Sequence, residues 1–462
     1  MAMKYHLPFG THGIRGTANT APFMPHHLNA LGKSLQAFLA QKNLPQTFLI
    51  GSDTRESCER IKQGLLAGFS PQTIVEDAGI IPTPTLNLLL TKKPAFGCGI
   101  MITASHNPAH DNGIKIILQH GTELTKADEL RIQELFATNF SDQQITTAPG
   151  CIIKPYESAF REYTDHIKTH FAPQFLAGHS IGLDCANGST STYAPAIFEY
   201  FGATVHTIHN QPTGTNINQS CGSTHPKDLQ QLVQKQHLTV GFAFDGDGDR
   251  VVAINTEGNL KNGDDLLVLL SSNLPLQEQQ IVVSTKLSNS ALTNALSTRG
   301  TTLITSDVGE HAVVEQMKKH NAPLGAEPSG HIVIKDHLMS SDGIFAALCS
   351  MKASLDQNNP LLETFKHNPH VLKSITVRHK PSLSTEPLAA IIEAFTRNNP
   401  DIFHVIRYSG TEAVLRIYIE AETVTRAATC ADNLAIELSA AINTANEHSL
   451  PSLDLHQAQR TA

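Results

Sequence analysis

A chain of 462 residues, at about 150 residues per domain, holds three or four domains, because a single core stops growing well below that length. Lys and Arg number 34 against 42 Asp and Glu, a net charge of −8 with no basic block, which excludes a protein that coats DNA or RNA by displacing phosphate counterions. Charged residues make up 16% and hydrophobic residues 40%, spread evenly, so the chain has material for large buried cores and not the composition of a disordered one.

In chain order, residues 1–10 carry neither a charged n-region nor an apolar h-region, and no run approaches 18 uninterrupted apolar residues. The expectation is a protein of the cytoplasm with no membrane association. Seven scattered cysteines, Cys58, Cys98, Cys151, Cys185, Cys221, Cys349 and Cys430, form no C-x-x-C pair and read as reduced thiols. Thr47–Gly51, Gly99–Thr103 and Ile181–Asp184 read as buried strands, each with a helical stretch nearby. The rhythm recurs: Ser180–Asn187 precedes a helix near Tyr193–Phe201, Thr239–Phe244 precedes Asp245, and Gln280–Ser284 precedes Asn289–Arg299. Several related α/β units in tandem are predicted, without a repeat at the level of residues. Asn139–Gly150, Asn255–Gly263 and Asp356–Pro369 are polar or turn-rich and read as linkers.

From Lys373 the pattern changes: strands at Ser374–Arg378, Val405–Tyr408 and Ala413–Glu420 flank helices near Glu386–Asn398 and Thr425–Asn443. The fold class expected is therefore α/β: three tandem mixed α/β domains over residues 1–148, 149–257 and 258–369, then a smaller α+β domain over 370–462, with a frayed tail after Glu447.

Five segments carry chemistry. Asp245-Gly246-Asp247-Gly248-Asp249-Arg250 follows a buried strand, and three carboxylates at alternate positions, with glycines that let the backbone curl, converge on one hard cation. An EF-hand would need Glu at position twelve, where Thr256 stands, and only three carboxylates leave room for a phosphate oxygen and water, so Mg²⁺ is favoured over Ca²⁺. Thr103-Ala104-Ser105-His106-Asn107-Pro108 puts a serine at a strand's carboxyl end, with Asp111-Asn112-Gly113-Ile114-Lys115 following. The G-x-S-x-G elbow of Ser-His-Asp hydrolases is absent. Arg407-Tyr408-Ser409-Gly410-Thr411-Glu412 offers a guanidinium fork, two hydroxyls and a glycine N–H to one phosphate. Gly325-Ala326-Glu327-Pro328-Ser329-Gly330-His331 offers a carboxylate, a hydroxyl and an imidazole suited to sugar hydroxyls and proton transfer. Phe9-Gly10-Thr11-His12-Gly13-Ile14-Arg15-Gly16 is glycine-rich but lacks both G-x-G-x-x-G and a Walker lysine, so no nucleotide is indicated. Of the 24 histidines, most fall singly in polar surroundings (His166, His170, His237, His320) and read as surface or core filling, while His106 and His331 sit inside motifs.

In order and spacing, and nearly end to end, these five segments resemble the α-D-phosphohexomutase family. Gly325-Ala326-Glu327, with Val308-Gly309-Glu310 before it and Asp342-Gly343-Ile344 after it, is nearer the phosphoglucosamine mutase branch than the phosphoglucomutase/phosphomannomutase one. The resemblance implies four domains, three related and the last different. It also implies that Ser105 is phosphorylated, that Asp245, Asp247 and Asp249 hold Mg²⁺ together with a phosphoryl oxygen on Ser105, and that Glu327 and Ser329 read the sugar. Arg407, Ser409, Gly410 and Thr411 would bind the substrate phosphate, Arg250 would offset its charge, Lys115 and His331 would act as general acid and base, Arg15 would support the phosphoryl group, and His106 and Asn107 would flank the serine.

The implied reaction interconverts a hexosamine 6-phosphate and 1-phosphate through a 1,6-bisphosphate, which also serves as activator. The partner is a small sugar phosphate, and the protein is a monomer or homodimer. The same mutase acting on glucose or mannose phosphates, and a catalytically silent sugar-phosphate-binding protein, are the alternatives. The chain departs from the family pattern at His12, where Asp is usual, at Pro328, where Asn, Gln or Met is usual, and at Tyr408 and Ala413, where prolines are frequent.

Overall fold

The computed structural model describes residues 7–10, 13–140, 150–273, 280–359, 362–409 and 413–447, with four separate β-sheets. His12, Gly410, Thr411, most of the expected linker at 139–150 and the tail after Glu447 lie outside the described residues. The chain divides into two compact units, Met1–Ser288 with Leu292–Phe365, and Asn289–Ala291 with Lys366–Ala462.

Three of the sheets lie in the first unit and share one topology. In the first, Thr47–Ser52 is flanked in parallel by Ile74–Ile80 and Cys98–Ile102, and Asp111–Leu118 adds antiparallel to the last. In the second, Ser180–Asp184 lies between Thr204–Ile208 and Val240–Phe244, with Val251–Ile254 antiparallel beyond. In the third, Gln280–Thr285 lies between Thr301–Ser306 and Leu324–Ala326, with Ile332–Ile334 antiparallel beyond. Numbered within each repeat, the strand order is 2-1-3-4 every time. The tandem α/β reading therefore holds, and the repeat lies in the topology where no residue-level repeat is visible.

Parallel strands need helical crossovers, supplied by Cys58–Leu66 and Thr83–Lys92, then Thr190–Tyr200 and Lys227–Gln236, then Ala291–Ser297 and Glu310–His320. Because helices cover the sheet faces, the third strands are buried at every residue, which explains the unbroken runs CGIMI and VGFAF. Two seams differ from the expected domain limits. Ile152–Pro155, past residue 148, pairs with Ile74–Ile80 as an outer strand of the first sheet. The turn-rich 255–263 segment is a hairpin rather than a bare linker: Leu260–Lys261 pairs back onto Val251–Ile254.

One continuous apolar core links the three sheets, joining Leu88–Leu90, Tyr163, Phe198, Phe242, Leu266–Leu270 and Ile344–Leu348. The second unit has its own core, in which an antiparallel sheet in the order His370–Thr376, Val414–Glu420, Phe403–Tyr408 packs against Leu388–Asn398 and Val424–Glu447. This is the smaller α+β domain expected from the sequence. No helix among the described residues is long and apolar enough to cross a membrane.

Candidate active site

In the 2-1-3-4 order the chain switches from one side of the first strand to the other, and the connection after the third strand opens at that switch point. The loops bearing Ser105, the three aspartates and Glu327 to His331 are this same connection in the first, second and third repeats.

Ser105 takes φ 51°, a left-handed conformation costly for a residue with a Cβ. What holds it is a buried guanidinium. Arg55 Nη2 donates to the Ser105 and Asn107 carbonyls at 3.0 and 2.8 Å, and Asn218 Nδ2 reaches the same two at 2.7 and 3.0 Å. Arg55 Nη1 donates to the carbonyls of Pro108 and Asp111, and Nε is fixed by Asp53 Oδ2 at 2.9 Å. The same Asp53 oxygen accepts from Thr103 Oγ1 at 2.7 Å, and that hydroxyl accepts the Ser105 N–H at 2.8 Å. The result aims Ser105 Oγ at Asp245 Oδ2, 2.7 Å away, with His106 Nδ1 at 3.4 Å. Arg15 Nη1 donates to the Ala104 carbonyl and lies 3.5 Å from Asn107 Oδ1.

Asp245, Asp247 and Asp249 are buried and each offers an oxygen within 4.8 Å of the others. Glycine is required between them, since a Cβ at Gly246 would stand 2.7 Å from the Ser105 carbonyl oxygen, and Gly248 sits at φ 72°. Thr83 donates to Asp247 Oδ2 at 2.5 Å, and Lys115 Nζ lies 2.7 Å from Asp247 Oδ2 and 2.6 Å from Asp249 Oδ2. Burial works against the Lys115 charge, but the two aspartates outweigh it and raise its pKa, so Lys115 is held as an ammonium. Burial, then the neighbouring Asp249 and Asp247, pushes Asp245 well above the usual carboxylate range.

Lys115, Arg250, whose Nε is 3.8 Å from Asp245, and Arg15 bring positive charge to the three carboxylates, yet Asp247 Oδ1 is buried with no hydrogen-bond partner among the described residues. This donor set of hard, clustered oxygens with one left unpartnered fits a divalent cation.

The third loop closes against the second. Arg250 and His331 form an antiparallel bridge, and Arg250 Nε donates to His331 Nε2 at 2.9 Å. His331 therefore carries its proton on Nδ1, which faces Ser341 Oγ at 2.9 Å, Glu310 at 3.6 Å and Asp249 at 3.7 Å. Burial, with Glu123 and Asp249 nearby, pushes Glu310 up to about 8. Glu327 is buried and accepts from the Gly309 N–H at 2.9 Å, whereas Ser329 is exposed. In the second unit, Arg407 is the penultimate residue of the strand Phe403–Tyr408, Ser409 just beyond it is buried, and its carbonyl accepts from Lys380 Nζ at 2.6 Å.

Ser105, Lys115, His331, Arg15, the three aspartates, Arg250, His106 and Asn107 thus gather in one region of the first unit, with Glu327 on the adjoining loop. Sequence reasoning missed Asp53, Arg55, Thr83, Asn218, Glu310 and Lys380. Asp53-Thr54-Arg55 follows the first strand of its repeat at the same switch point, so the rule that singled out Ser105 also singles out this loop.

Four domain families match in tandem: phosphoglucomutase/phosphomannomutase alpha/beta/alpha domain I over residues 6–143, domain II over 161–258, domain III over 262–371, and the C-terminal domain over 372–437. A phosphoglucosamine mutase of Thermus thermophilus is 38% identical over 421 residues, covering 90% of this chain and 94% of that protein. A phosphoglucomutase/phosphomannomutase family protein of Burkholderia thailandensis superposes with a TM-score of 0.75 at 20% identity, over 94% of this chain and 97% of its own. An Aspergillus fumigatus N-acetylphosphoglucosamine mutase, solved with GlcNAc-6P and magnesium, superposes with a TM-score of 0.63 at 16% identity over 96% and 97%.

Proposed function

Because the chain belongs to the phosphoglucomutase/phosphomannomutase family and is an intramolecular phosphotransferase of the isomerase class, we propose that it interconverts glucosamine 6-phosphate and glucosamine 1-phosphate through phosphorylated Ser105 and a 1,6-bisphosphate. The observation that carries this reading is Ser105 Oγ, 2.7 Å from the aspartate cluster and locked in a left-handed turn by Arg55 and Asn218. The glucosamine substrate rests on the Thermus thermophilus relative.

In the first half-reaction the sugar C1 hydroxyl attacks the phosphorus and the bond from phosphorus to Ser105 Oγ breaks. The hydroxyl proton passes to His331 Nε2 as Arg250 turns from that nitrogen to the phosphoryl group, and Lys115 gives a proton to the Ser105 oxygen. The bisphosphate then reverses end for end. Ser105 Oγ attacks the phosphorus at C6 and returns its proton to Lys115, while the leaving C6 oxygen takes the proton from His331, so both groups are restored.

Arg15 supports the transferring group. Glu327 and Ser329 bind sugar hydroxyls, and Arg407, Ser409, Gly410 and Thr411 hold the phosphate that is not being transferred. A Mg²⁺ ion on Asp245, Asp247, Asp249 and a Ser105 phosphoryl oxygen, consistent with the magnesium of the Aspergillus protein, would supply charge against the phosphoryl oxygens. Hexose 1,6-bisphosphate recharges a Ser105 that has lost its phosphoryl group. The reaction belongs to the cytoplasm, in keeping with the free cysteines among the described residues.

The test joins intact-mass analysis with coupled assays on glucosamine, glucose and mannose phosphates. A fraction one phosphoryl group heavier is expected, absent in Ser105→Ala, which should lose turnover by about 10⁴-fold or more. Full turnover by an unmodified enzyme without added bisphosphate would refute the phosphoserine, and a preference for glucose or mannose phosphate would refute the substrate.

A further inference from the structure

Away from the aspartate loops, three histidines separated in sequence come together. His166 lies in the last turn of the helix Ala159–Lys168, His170 follows its end, and His337 sits in the turn after the strand Ile332–Ile334. One ring nitrogen from each lies within 4.8 Å of the others. His166 Nε2 and His337 Nδ1 are 3.0 Å apart, close to the roughly 3.4 Å that two imidazole nitrogens adopt on a tetrahedral ion with bonds of about 2.0–2.1 Å.

His337 is oriented as metal-binding histidines are. Its Nε2–H donates to Asp342 Oδ2 at 2.7 Å, which leaves the lone pair on Nδ1, the atom facing the cluster. Asp342 is itself buried and fixed, accepting from Tyr163 at 2.9 Å and from the Phe345 N–H at 3.0 Å. The His337 ring stacks on Phe345 with centroids 3.7 Å apart, so it cannot swing away. His170 is exposed and gives the cluster an opening to solvent. Lys92 acts against a cation here, and Asp336, on the His170 side, acts for one.

We propose that His166, His170 and His337 bind one divalent transition-metal ion, Zn²⁺ by its tetrahedral preference, with the fourth position open to solvent beside His170. The ion would pin the helix Ala159–Lys168 to the turn ahead of Asp342, which caps the helix Gly343–Asp356; the Gly343 N–H in turn holds the Gly248 carbonyl of the aspartate loop at 3.0 Å. The reading is independent of the mutase substrate.

The test uses the full-length protein stripped by chelator and then saturated with Mg²⁺ to occupy the aspartates. Titration with Co²⁺ should give tetrahedral absorption bands without sulfur-to-metal charge transfer at one ion per chain, and Zn²⁺ should displace it. His166→Ala and His170→Ala should each weaken Zn²⁺ by about tenfold or more and abolish the rise in Tm that Zn²⁺ gives the unaltered protein. His170→Ala, at an exposed position, should keep full Mg²⁺-dependent turnover, which shows the variant folded. Absence of Co²⁺ bands from the unaltered protein, or equal Zn²⁺ stoichiometry and affinity in the His166→Ala/His170→Ala double variant, would overturn the site and leave a hydrogen-bonded histidine pair.

Discussion

Arg55→Ala is the substitution that most directly tests how the Ser105 loop is built. The guanidinium is almost fully buried, pairs with Asp53 and donates to four carbonyls of the 105–111 segment. Removing one partner of a buried ion pair costs about 3–5 kcal/mol. Asp53 would keep the Thr103 hydroxyl, the Cys58 thiol and the backbone N–H of residue 55, so the lower end, about 3 kcal/mol, applies. Ser105 at φ 51° stores about 1–3 kcal/mol of strain that those bonds hold in place. Asn218 alone would then restrain its carbonyl, and relaxation of the turn moves Oγ off Asp245. A displacement near 1 Å costs about a hundredfold in kcat. Arg55→Lys keeps the charge but not the fork, and should recover part of the stability and little of the rate. Hydrogen exchange of the 104–112 amides, urea unfolding and steady-state kinetics read the three quantities. If Arg55→Ala left loop exchange and kcat within twofold of the unaltered enzyme, the guanidinium would not be what positions Ser105.

Asp247→Asn should weaken Mg²⁺ by about tenfold or more, since affinity follows ligand charge, while chelator should abolish turnover of the unaltered protein and Mg²⁺ restore it; calorimetry and coupled assays check both. Arg407→Ala should lower kcat/KM by about ten- to a hundredfold and let bisphosphate escape, so that turnover comes to depend on added bisphosphate. His209 Nδ1 lies 3.0 Å from buried Asp184, whose carboxylate raises the imidazole pKa against the opposing effect of burial. The pair therefore stabilises the fold below the ordinary histidine value of about 6.5 and loses that contribution as pH rises through the raised value, so His209→Gln should flatten the difference in Tm between acidic and mildly alkaline buffer.

What could be read from the sequence was whatever is local. Asp245, Asp247 and Asp249 announce a carboxylate cluster by spacing alone, and the buried runs VGFAF and CGIMI announce strands covered on both faces. Arg55 was not legible, because its meaning lies in four carbonyls about fifty residues away. Thr83 and Asn218 reach the site for the same reason, through pairings that only the crossovers create. The hairpin closed by Leu260–Lys261 reads as a linker because a two-residue strand carries no periodicity. His166 lies in the last turn of a helix and His170 just past its end, but nothing in the chain says that His337 meets them.

The repeated strand order explains why those long-range residues matter. Three loops that leave the same strand end of three similar sheets fall together only if the sheets are held rigidly, and the continuous core from Leu88 through Phe242 and Leu266 to Ile344 does this. Backbone bonds complete the assembly: the Thr83 N–H to the Asp247 carbonyl at 2.9 Å ties the first repeat to the second, and the Val251 N–H to the Gly330 carbonyl at 3.0 Å ties the second to the third. Serine, aspartates and imidazole are thereby fixed to one another by backbone as well as by side chains, as phosphoryl transfer requires when positioning and charge supply most of the acceleration. Arg407 and Ser409 stand on a separate core, Val377 through Ile442, with its own sheet. In the proposed reaction, chemistry and phosphate holding rest on different scaffolds: a site that takes one sugar in two orientations needs the first rigid, while the second has only to grip a group common to both ends.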